Sequence, residues 1–367
     1  DILGVAGQEI LHDLVRAFLL QERLKGQSRA SRFRAGHVHV VGAGVMGGDI
    51  AAWCAANGLR VSLQDRDAER IAPAVARARA LFERKLKSRR ETTAAMDRFM
   101  PDPRGDGVGQ ADVVIEAIFE DAAAKRALYA ELEARMPEDA LLATNTSSIP
   151  LEELASGLDR PERLVGLHFF NPVAKMQLVE VVTGSATAAE TRDRAAAFTR
   201  QIDRLPVAVG STPGFLVNRV LMPYLLEAVA LVEEGVAPAT VDRAAEDFGM
   251  PMGPVELADR VGLDICLSVA EILAGHFAGD IPHALRERVE RGRLGRKAGA
   301  GFYNYRKGEP VKGRPGRRNR GALQDRLILP LLNEAVRCLR EGVVADPDLL
   351  DGGIIYGTGF APFPGGP

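Results

Sequence analysis

Between residues 37 and 209, short apolar runs of strand length alternate with longer stretches whose apolar residues recur at helical spacing. The apolar runs cover residues 37–41, 60–64, 112–117, 140–144, 164–168, 178–182 and 207–209. Helical patterns separate several of them, at about 45–57, 67–90, 121–136, 150–156 and 187–203. This alternation predicts an α/β architecture with a mostly parallel, doubly wound sheet.

The pattern changes at Pro213, after which apolar residues recur at helical spacing alone. Helices are predicted at about 214–234, 238–248, 254–274 and 283–291. We therefore expect a first domain over residues 36–211, followed by an all-α domain over residues 212–305.

The helical region repeats itself further along the chain. Residues 306–320 are rich in Gly, Pro and Arg, which predicts a surface linker. Beyond it, RLILPLLNEAVRCLREGV (326–343) matches RVLMPYLLEAVALVEEGV (219–236) at a constant offset of 107 positions. The helical region is therefore predicted to be internally duplicated, with residues 321–367 as a second, partial copy.

The start of the chain carries one more amphipathic pattern. Apolar residues at helical spacing run through residues 8–25, and Gly26 is a suitable stop. We expect residues 1–35 to form a linker helix that packs on a neighbour. Because the first residue is not Met, we interpret the chain as a fragment of a longer polypeptide.

Composition narrows the functional class. The 367 residues are 46% hydrophobic and 26% charged, as in a globular protein with full cores. A net charge of −2 gives no general attraction to nucleic acid or membranes. Three widely spaced cysteines argue against a disulfide framework or a zinc site. Neither a signal peptide nor an apolar run long enough to span a bilayer is visible.

A glycine-rich turn follows the first apolar run. Gly42, Gly44 and Gly47 stand at the positions of a G-x-G-x-x-G fingerprint, between a predicted strand and a predicted helix. The first glycine permits a tight turn, the second lets the backbone approach a pyrophosphate, and the third lets helix pack on strand. The sequence therefore predicts a Rossmann-like dinucleotide-binding domain.

Asp65 ends the next apolar run, 18 residues after Gly47. A carboxylate at this point can accept hydrogen bonds from the adenosine ribose hydroxyls and would repel a 2′-phosphate. NAD is thus favoured over NADP, although the neighbouring Arg66 softens the preference.

A histidine and a glutamate lie in two neighbouring apolar runs, as His168 and Glu180 of HFFNPVAKMQLVE. A buried carboxylate needs a partner, and a histidine oriented by a carboxylate is a common general base. Together with a nicotinamide site, the pair suggests oxidation of an alcohol. A core histidine without a catalytic role is the competing interpretation.

Two further polar residues are candidates for the same site. Ser147 follows the run 140–144, at the strand ends where ligands bind in doubly wound sheets. It is equally well placed to cap the helix near residue 150. Asn218 begins the helical region and is expected to reach across a domain cleft to a substrate oxygen, but surface polarity explains it equally well.

The remaining charged groups are less specific. The basic stretch 77–90 suits either an anionic group such as the phosphates of coenzyme A or a solvated face. The other five histidines lack metal-ligand spacing and are interpreted as structural, His37 and His39 lying on one face of the first strand.

From Gly36 to Tyr305 the chain resembles the L-3-hydroxyacyl-CoA dehydrogenase family. The resemblance rests on VGAGVMGGDIA, DVVIEAIFED, TNTSSI, GLHFFNPVAKMQLVEVV, TPGFLVNR, GMPMGPVELADRVGLD and GRKAGAGFYNY. The opening helix and the second helical copy look like those of multifunctional fatty-acid oxidation alpha subunits. Those proteins carry a hydratase domain before this helix, and no hydratase activity is expected of this chain.

The resemblance assigns roles to individual residues. It implies that His168 is the catalytic base, that Glu180 orients it, and that Ser147 and Asn218 contact substrate. The NAD site that it implies would contain Gly42, Gly44, Met46, Gly47, Asp65, Ile118, Phe119, Glu120, Lys125, Ser147 and Asn171.

The expected activity is NAD-dependent oxidation of (S)-3-hydroxyacyl-CoA to 3-ketoacyl-CoA in fatty-acid β-oxidation. The expected protein is an oligomer of the bacterial cytoplasm, or of an organellar matrix in a eukaryote, with a thiolase subunit as partner if it belongs to a multienzyme complex. The multifunctional proteins continue past Gly-Gly-Pro into a segment with a substrate-contacting tyrosine, which would lie beyond Pro367. Alternatives are a β-hydroxyacid dehydrogenase with a lysine base and a catalytically silent dinucleotide-binding protein.

Overall fold

The computed structural model describes residues 15–275, 280–316 and 319–367. The chain forms two compact units, one from residues 21–212 and one that groups residues up to Leu20 with those from Pro213 onward. Helix α1 is described over residues 15–26, and the earlier part of the predicted opening helix lies outside the described residues. The predicted division into five segments remains a prediction.

An eight-stranded sheet forms the centre of the first unit. Its strands are β1 (His37–Val41), β2 (Arg60–Gln64), β3 (Phe99–Pro101), β4 (Val113–Glu116), β5 (Leu141–Thr144), β6 (Leu164–Phe169), β7 (Leu178–Thr183) and β8 (Leu205–Gly210). They lie in the order β3-β2-β1-β4-β5-β6-β7-β8, and every neighbouring pair is parallel except β6–β7. The predicted fold class, mostly parallel and Rossmann-like, is confirmed.

Helices follow most of these strands and cover their apolar side chains. They are α2 (Val45–Ala56), α3 (Ala68–Lys85), α4 (Arg89–Arg98), α5 (Ala122–Glu133), α6 (Leu151–Ala155) and α7 (Ala189–Gln201). The inner strands β1, β4, β5 and β6 are buried along their whole length. This burial explains why they read as mostly apolar runs in the sequence.

The single helix predicted over 67–90 is wrong. Helix α3 ends at Lys85, and Ser88 begins α4 by accepting a hydrogen bond from the backbone N–H of Glu91. The Glu91 carboxylate in turn accepts from the backbone N–H of Lys87. These side-chain caps satisfy backbone donors at the start of α4, and a new helix therefore begins there. Residues 67–90 thus contain the whole of α3 and the start of α4, where their helical pattern predicted a single helix.

Where the structure describes the second unit, it is mainly helical and contains one small hairpin. Its helices are α8 (Val217–Glu233), α9 (Pro238–Phe248), α10 (Pro254–Val261), α11 (Leu263–Leu273), α12 (His283–Glu290), α13 (Arg320–Arg340) and α14 (Pro347–Thr358). The predicted helix 254–274 is divided at Gly262, whose φ of +108° does not fit a continuous right-handed helix.

Part of the predicted linker 306–320 is structured. Strands β9 (Tyr305–Arg306) and β10 (Glu309–Pro310) pair as a hairpin. Lys312 beyond it lies 2.7 Å from Glu256 and 3.2 Å from Glu246. Strand pairing therefore orders part of this Gly- and Pro-rich segment, and the Lys312 ion pairs tie it to the helices of the same unit.

The two copies of the duplicated sequence pack on each other through α8 and α13. Near the start of α8, Arg219 donates from Nε to Oε1 of Glu334 on α13 at 2.6 Å. Near the start of α13, Arg326 donates from Nε to Oε1 of Glu227 on α8 at 2.7 Å. Arg219 and Arg326 are 107 positions apart, and so are Glu227 and Glu334. The two contacts are therefore equivalent, with the roles of the two helices exchanged. The two helices therefore run antiparallel, related by an approximate two-fold axis.

No helix in the parts of the chain that the structure describes has the length and apolar character needed to cross a bilayer.

Candidate active site

The glycine-rich turn connects β1 to α2. Gly42 adopts φ +105°, and a Cβ there would lie 2.5 Å from the carbonyl oxygen of Ala117. A Cβ on Gly47 would collide with the carbonyl of Gly42. Gly44 caps α2, and nothing lies within 4 Å of the position that its Cβ would take. The turn thus presents open backbone at a helix N-terminus, which fits a pyrophosphate.

Asp65 lies directly after β2 and contacts this turn. Its Oδ2 accepts from the backbone N–H of Ala43 at 2.8 Å, and Oδ1 accepts from the N–H of Asp67 at 3.1 Å. These bonds fix the carboxylate beside the turn, where a ribose would follow the pyrophosphate. Arg66 is exposed. The described residues therefore fit a dinucleotide, and they fit NAD better than its 2′-phosphorylated form.

One cation of the basic stretch lies against the same turn. Arg77 of α3 donates from Nη2 to the carbonyl oxygen of Gly44 at 2.9 Å and from Nε to Asp49 at 3.1 Å. A Cβ on the neighbouring Gly48 would also lie 2.7 Å from Arg77 Nη2. In the sequence Arg77 is one of several basic residues in this stretch, and no local pattern distinguishes it.

A buried polar cluster lies at the end of β4, around the completely buried Glu116. Its Oε1 accepts from Lys125 Nζ at 2.7 Å and from the backbone N–H of Ile118 at 2.8 Å. Its Oε2 accepts from the hydroxyls of Tyr129 and Thr144 at 2.7 and 2.8 Å. The cluster fixes residues 117–120, and Lys125 is itself buried rather than exposed to a ligand.

Glu120 accepts several hydrogen bonds from the turn that follows β5. Its Oε1 accepts from the Thr146 hydroxyl at 2.6 Å, from the Ser147 backbone N–H at 2.9 Å and from the Ser148 hydroxyl at 3.1 Å. Lys125 Nζ lies 3.4 Å from its Oε2. Burial acts to raise the pKa of Glu120, but Lys125 and these donors outweigh it and hold the pKa below its usual range. The carboxylate therefore remains charged while it fixes the backbone of Ser147.

His168 and Glu180 face each other across the antiparallel pair β6–β7. His168 Nδ1 lies 2.6 Å from Glu180 Oε2, and the two residues are 5% and 0% exposed. The ring of Phe170 packs edge-on against the imidazole, with centroids 4.6 Å apart. A buried carboxylate that accepts from Nδ1–H leaves Nε2 as a proton acceptor, which is the arrangement of a general base.

The strand register explains why these groups share one edge of the sheet. In the register of the sheet, Val41 of β1 pairs with Glu116 of β4. Glu116 pairs in turn with Thr144 of β5, and Thr144 pairs with Gly166 of β6. The glycine-rich turn and the Glu120–Ser147 contact therefore lie at the carboxyl ends of the strands, as does His168. Ligands of doubly wound sheets bind along this edge.

The other predicted site residues lie as follows. Phe119 is 59% exposed, whereas Met46 and Ile118 are half-buried. Asn171 is exposed. In the second unit, Asn218 lies in the first turn of α8 and is half-buried. The roles assigned to these residues remain predictions.

Glu116 and Thr146 were not singled out in the sequence. Glu116 nevertheless carries the signal that revealed Glu180, an acid within an apolar strand, and the same reasoning would have required a buried partner for it. Thr146 has no such signal, because its role depends on a carboxylate that is distant in sequence.

Comparison with known proteins places these features in a family. Residues 37–212 match the family model described as 3-hydroxyacyl-CoA dehydrogenase, NAD binding domain, and residues 214–305 match the C-terminal domain of the same family. The fatty acid oxidation complex subunit alpha of Psychrobacter sp. (strain PRwf-1) is 36% identical over an alignment that covers 96% of this chain and 53% of that protein. The chain spans about half the length of the curated relatives it matches.

Solved structures agree with the family match. The 3-hydroxybutyryl-CoA dehydrogenase of Escherichia coli K12 superposes with a TM-score of 0.78, at 28% identity and 90% coverage of both chains. The (S)-3-hydroxybutyryl-CoA dehydrogenase PaaH1 of Ralstonia eutropha gives a TM-score of 0.70 at 35% identity, covering 75% of this chain and all of that one. With both domain models matched in order, the chain belongs to the 3-hydroxyacyl-CoA dehydrogenase family of NAD-dependent enzymes, and its residues 37–212 are the NAD-binding domain.

Proposed function

We propose that this protein oxidises (S)-3-hydroxyacyl-CoA to 3-ketoacyl-CoA with NAD⁺, as a step of fatty-acid β-oxidation. The observation that carries the proposal is the buried contact between His168 and Glu180, 2.6 Å long, at the strand edge that also carries the dinucleotide turn. A base beside a nicotinamide site is what oxidation of a secondary alcohol requires.

His168 acts on the substrate hydroxyl in this proposal. Glu180 accepts from Nδ1–H, and Nε2 takes the hydroxyl proton as the alcohol becomes a ketone. The imidazolium that forms is stabilised by the carboxylate 2.6 Å away, in surroundings that exclude most water. A positioned base of this kind contributes about 10²- to 10⁴-fold to the rate.

Ser147 and Asn218 are proposed to contact the substrate. Support for Ser147 comes from its place after β5 and from Glu120, which holds its backbone N–H at 2.9 Å. Support for Asn218 comes from the C-terminal domain model of the family, whose match begins at residue 214, and from its place in the first turn of α8.

The dinucleotide is proposed to lie over the turn Gly42–Gly47, with its ribose at Asp65. The chemistry that NAD⁺ supplies when bound is acceptance of the hydride from C3 of the substrate. The other residues proposed to surround it are Met46, Ile118, Phe119, Glu120, Lys125, Ser147 and Asn171. For Lys125, burial at 1% exposure supports an indirect contribution through Glu116 and Glu120.

We further propose that the protein works in the bacterial cytoplasm as an oligomer, with a thiolase subunit as partner. The support is the name of its bacterial relatives, subunits of a fatty acid oxidation complex.

The test is NADH formation by the purified chain with NAD⁺ and (S)-3-hydroxybutyryl-CoA, with the (R)-enantiomer as the matched control. We expect NADH from the (S)-substrate alone, because the base and the hydride acceptor must lie on defined sides of C3. Absence of NADH from the (S)-substrate, or equal rates for both enantiomers, would contradict the proposal.

A further inference from the structure

The second helical copy lies outside both family models, which end at residue 305. Its helix α13 nevertheless contacts the residue next to Asn218. We propose that Glu334 is a positioning residue, which orients Asn218 toward the acyl-CoA by holding Arg219. The inference rests on the proposed function, in which Asn218 contacts substrate.

Burial makes the Arg219 contact different from an ordinary surface ion pair. Arg219 and Glu334 are each only 5% exposed. The guanidinium donates from Nε to Glu334 at 2.6 Å, and its Nη2 lies 2.6 Å from Glu341 of the same copy. Two carboxylates of the second copy thus hold a buried guanidinium, and the buried one, Glu334, fixes its Nε, so the position of Arg219 is strongly determined by α13.

The backbone transmits this position to Asn218. Arg219 follows Asn218 in the first turn of α8, and its N–H donates to the carbonyl oxygen of Gly214 at 3.2 Å. The turn that leads into the helix contains Phe215, a buried residue at φ +50°. A non-glycine residue in this region persists only where its surroundings hold it. Arg219 therefore connects a strained turn to the second copy.

The approximate two-fold axis provides a matched control. Arg326 pairs with Glu227 at 2.7 Å and with Glu234 at 2.7 Å, the counterparts of Glu334 and Glu341. Its preceding residue is Asp325, not asparagine, and no site residue adjoins it. This pair is also more open, with side-chain exposures of 42% for Arg326 and 24% for Glu227. The same chemistry thus occurs twice in the α8–α13 contact, and only one copy adjoins Asn218.

The experiment compares Glu334→Gln with Glu227→Gln in the full chain. Glu334→Gln should lower kcat/KM for (S)-3-hydroxybutyryl-CoA by about 3- to 30-fold, because small misplacements of a substrate contact are costly. Binding of acetoacetyl-CoA, measured by calorimetry, should weaken in parallel, whereas the Kd for NADH should not change. Glu227→Gln should stay within about twofold of wild type in all three.

A double-mutant cycle separates positioning from general damage. In an Asn218→Ala background, Glu334→Gln should have no further effect on kcat/KM or on acetoacetyl-CoA binding, because it acts through the side chain already removed. Urea unfolding of each variant checks stability. If Glu334→Gln does not fold, Glu334→Asp replaces it, since it keeps the carboxylate charge but shortens the side chain that contacts Arg219 at 2.6 Å.

The outcomes distinguish this inference from the proposed function. A loss that is additive with Asn218→Ala, or no loss for Glu334→Gln while Asn218→Ala is impaired, overturns the positioning role alone. No loss for Asn218→Ala overturns the substrate role of Asn218 and this inference with it. If the wild type forms no NADH, the dehydrogenase assignment fails, and acetoacetyl-CoA binding by the same variants still decides the positioning role.

Discussion

His168 and Glu180 lie directly opposite each other in the only antiparallel pair of the described eight-stranded sheet, and their side chains meet at 2.6 Å. The strand pairing fixes both backbones and places the Glu180 carboxylate beside Nδ1 of the imidazole. We expect Glu180→Gln to lower kcat by about 10²-fold or more, because an amide can stabilise the wrong tautomer and cannot stabilise an imidazolium.

Steady-state rates with saturating NAD⁺ check the Glu180 prediction, and the Kd for NADH serves as its control. A variant that keeps wild-type kcat would show that Glu180 only fills space in β7.

Asp65 should determine cofactor choice. The wild type should prefer NAD⁺ to NADP⁺, because a carboxylate repels a 2′-phosphate. Asp65→Ser should weaken NAD⁺ binding by about 10- to 100-fold, the effect of losing hydrogen bonds to a charged group. Arg66→Ala should leave NAD⁺ binding nearly unchanged, since Arg66 is exposed. Titrations with both cofactors measure this, and equal affinities in the wild type would assign the ribose to Arg66 instead.

The buried pair Glu116–Lys125 should matter for stability. Lys125→Met leaves a carboxylate buried without its cation, which is expected to cost about 3–5 kcal/mol of unfolding free energy. Adding Glu116→Gln removes that charge, and the double variant should recover part of the loss while Tyr129 and Thr144 still donate to the amide. Urea unfolding gives both values, and a double variant less stable than Lys125→Met would refute this account.

Much of this arrangement follows from sequence, and the exceptions have physical reasons. Strands such as β4 and β5 were located within a residue or two, because buried parallel strands are continuous apolar runs. Strand β3 was missed because three edge residues carry no periodicity. The duplication was visible as a 107-residue offset. That Arg219 and Arg326 each bind a glutamate of the other copy depends on how α8 and α13 pack, which no local pattern encodes.

The histidines of β1 predict a pH dependence of stability. His37 Nε2 and His39 Nδ1 contact the Ser62 hydroxyl at 2.9 and 2.7 Å. Burial lowers the pKa of both imidazoles. The Gln110 carbonyl acts to raise the pKa of His37, and Gln64 and Asp102 act to raise that of His39, but burial outweighs them. The folded state therefore holds neutral imidazoles, whereas the unfolded chain takes up protons near pH 6.5. The contribution of these two histidines to the free energy of unfolding should be complete above about pH 6.5 and should decrease as the pH falls below that value.

The slope is at most about 1.4 kcal/mol per pH unit for each histidine. Urea unfolding at about pH 7.5, 6.5 and 5.5 measures it, with a His37→Gln, His39→Gln double variant for comparison. That variant should be less stable at the highest pH but lose less on acidification. Parallel curves for the two proteins would attribute the acid sensitivity to other groups.

The catalytic role of His168 is tested most directly by the rate of NADH formation by His168→Gln with (S)-3-hydroxybutyryl-CoA under single-turnover conditions. Glutamine retains a polar group of similar size but cannot take the hydroxyl proton. If His168 is the base, the rate should be lower by about 10²- to 10⁴-fold with an unchanged Kd for NADH, since the imidazole acts on the substrate and not on the cofactor. A rate within a few-fold of wild type would contradict it.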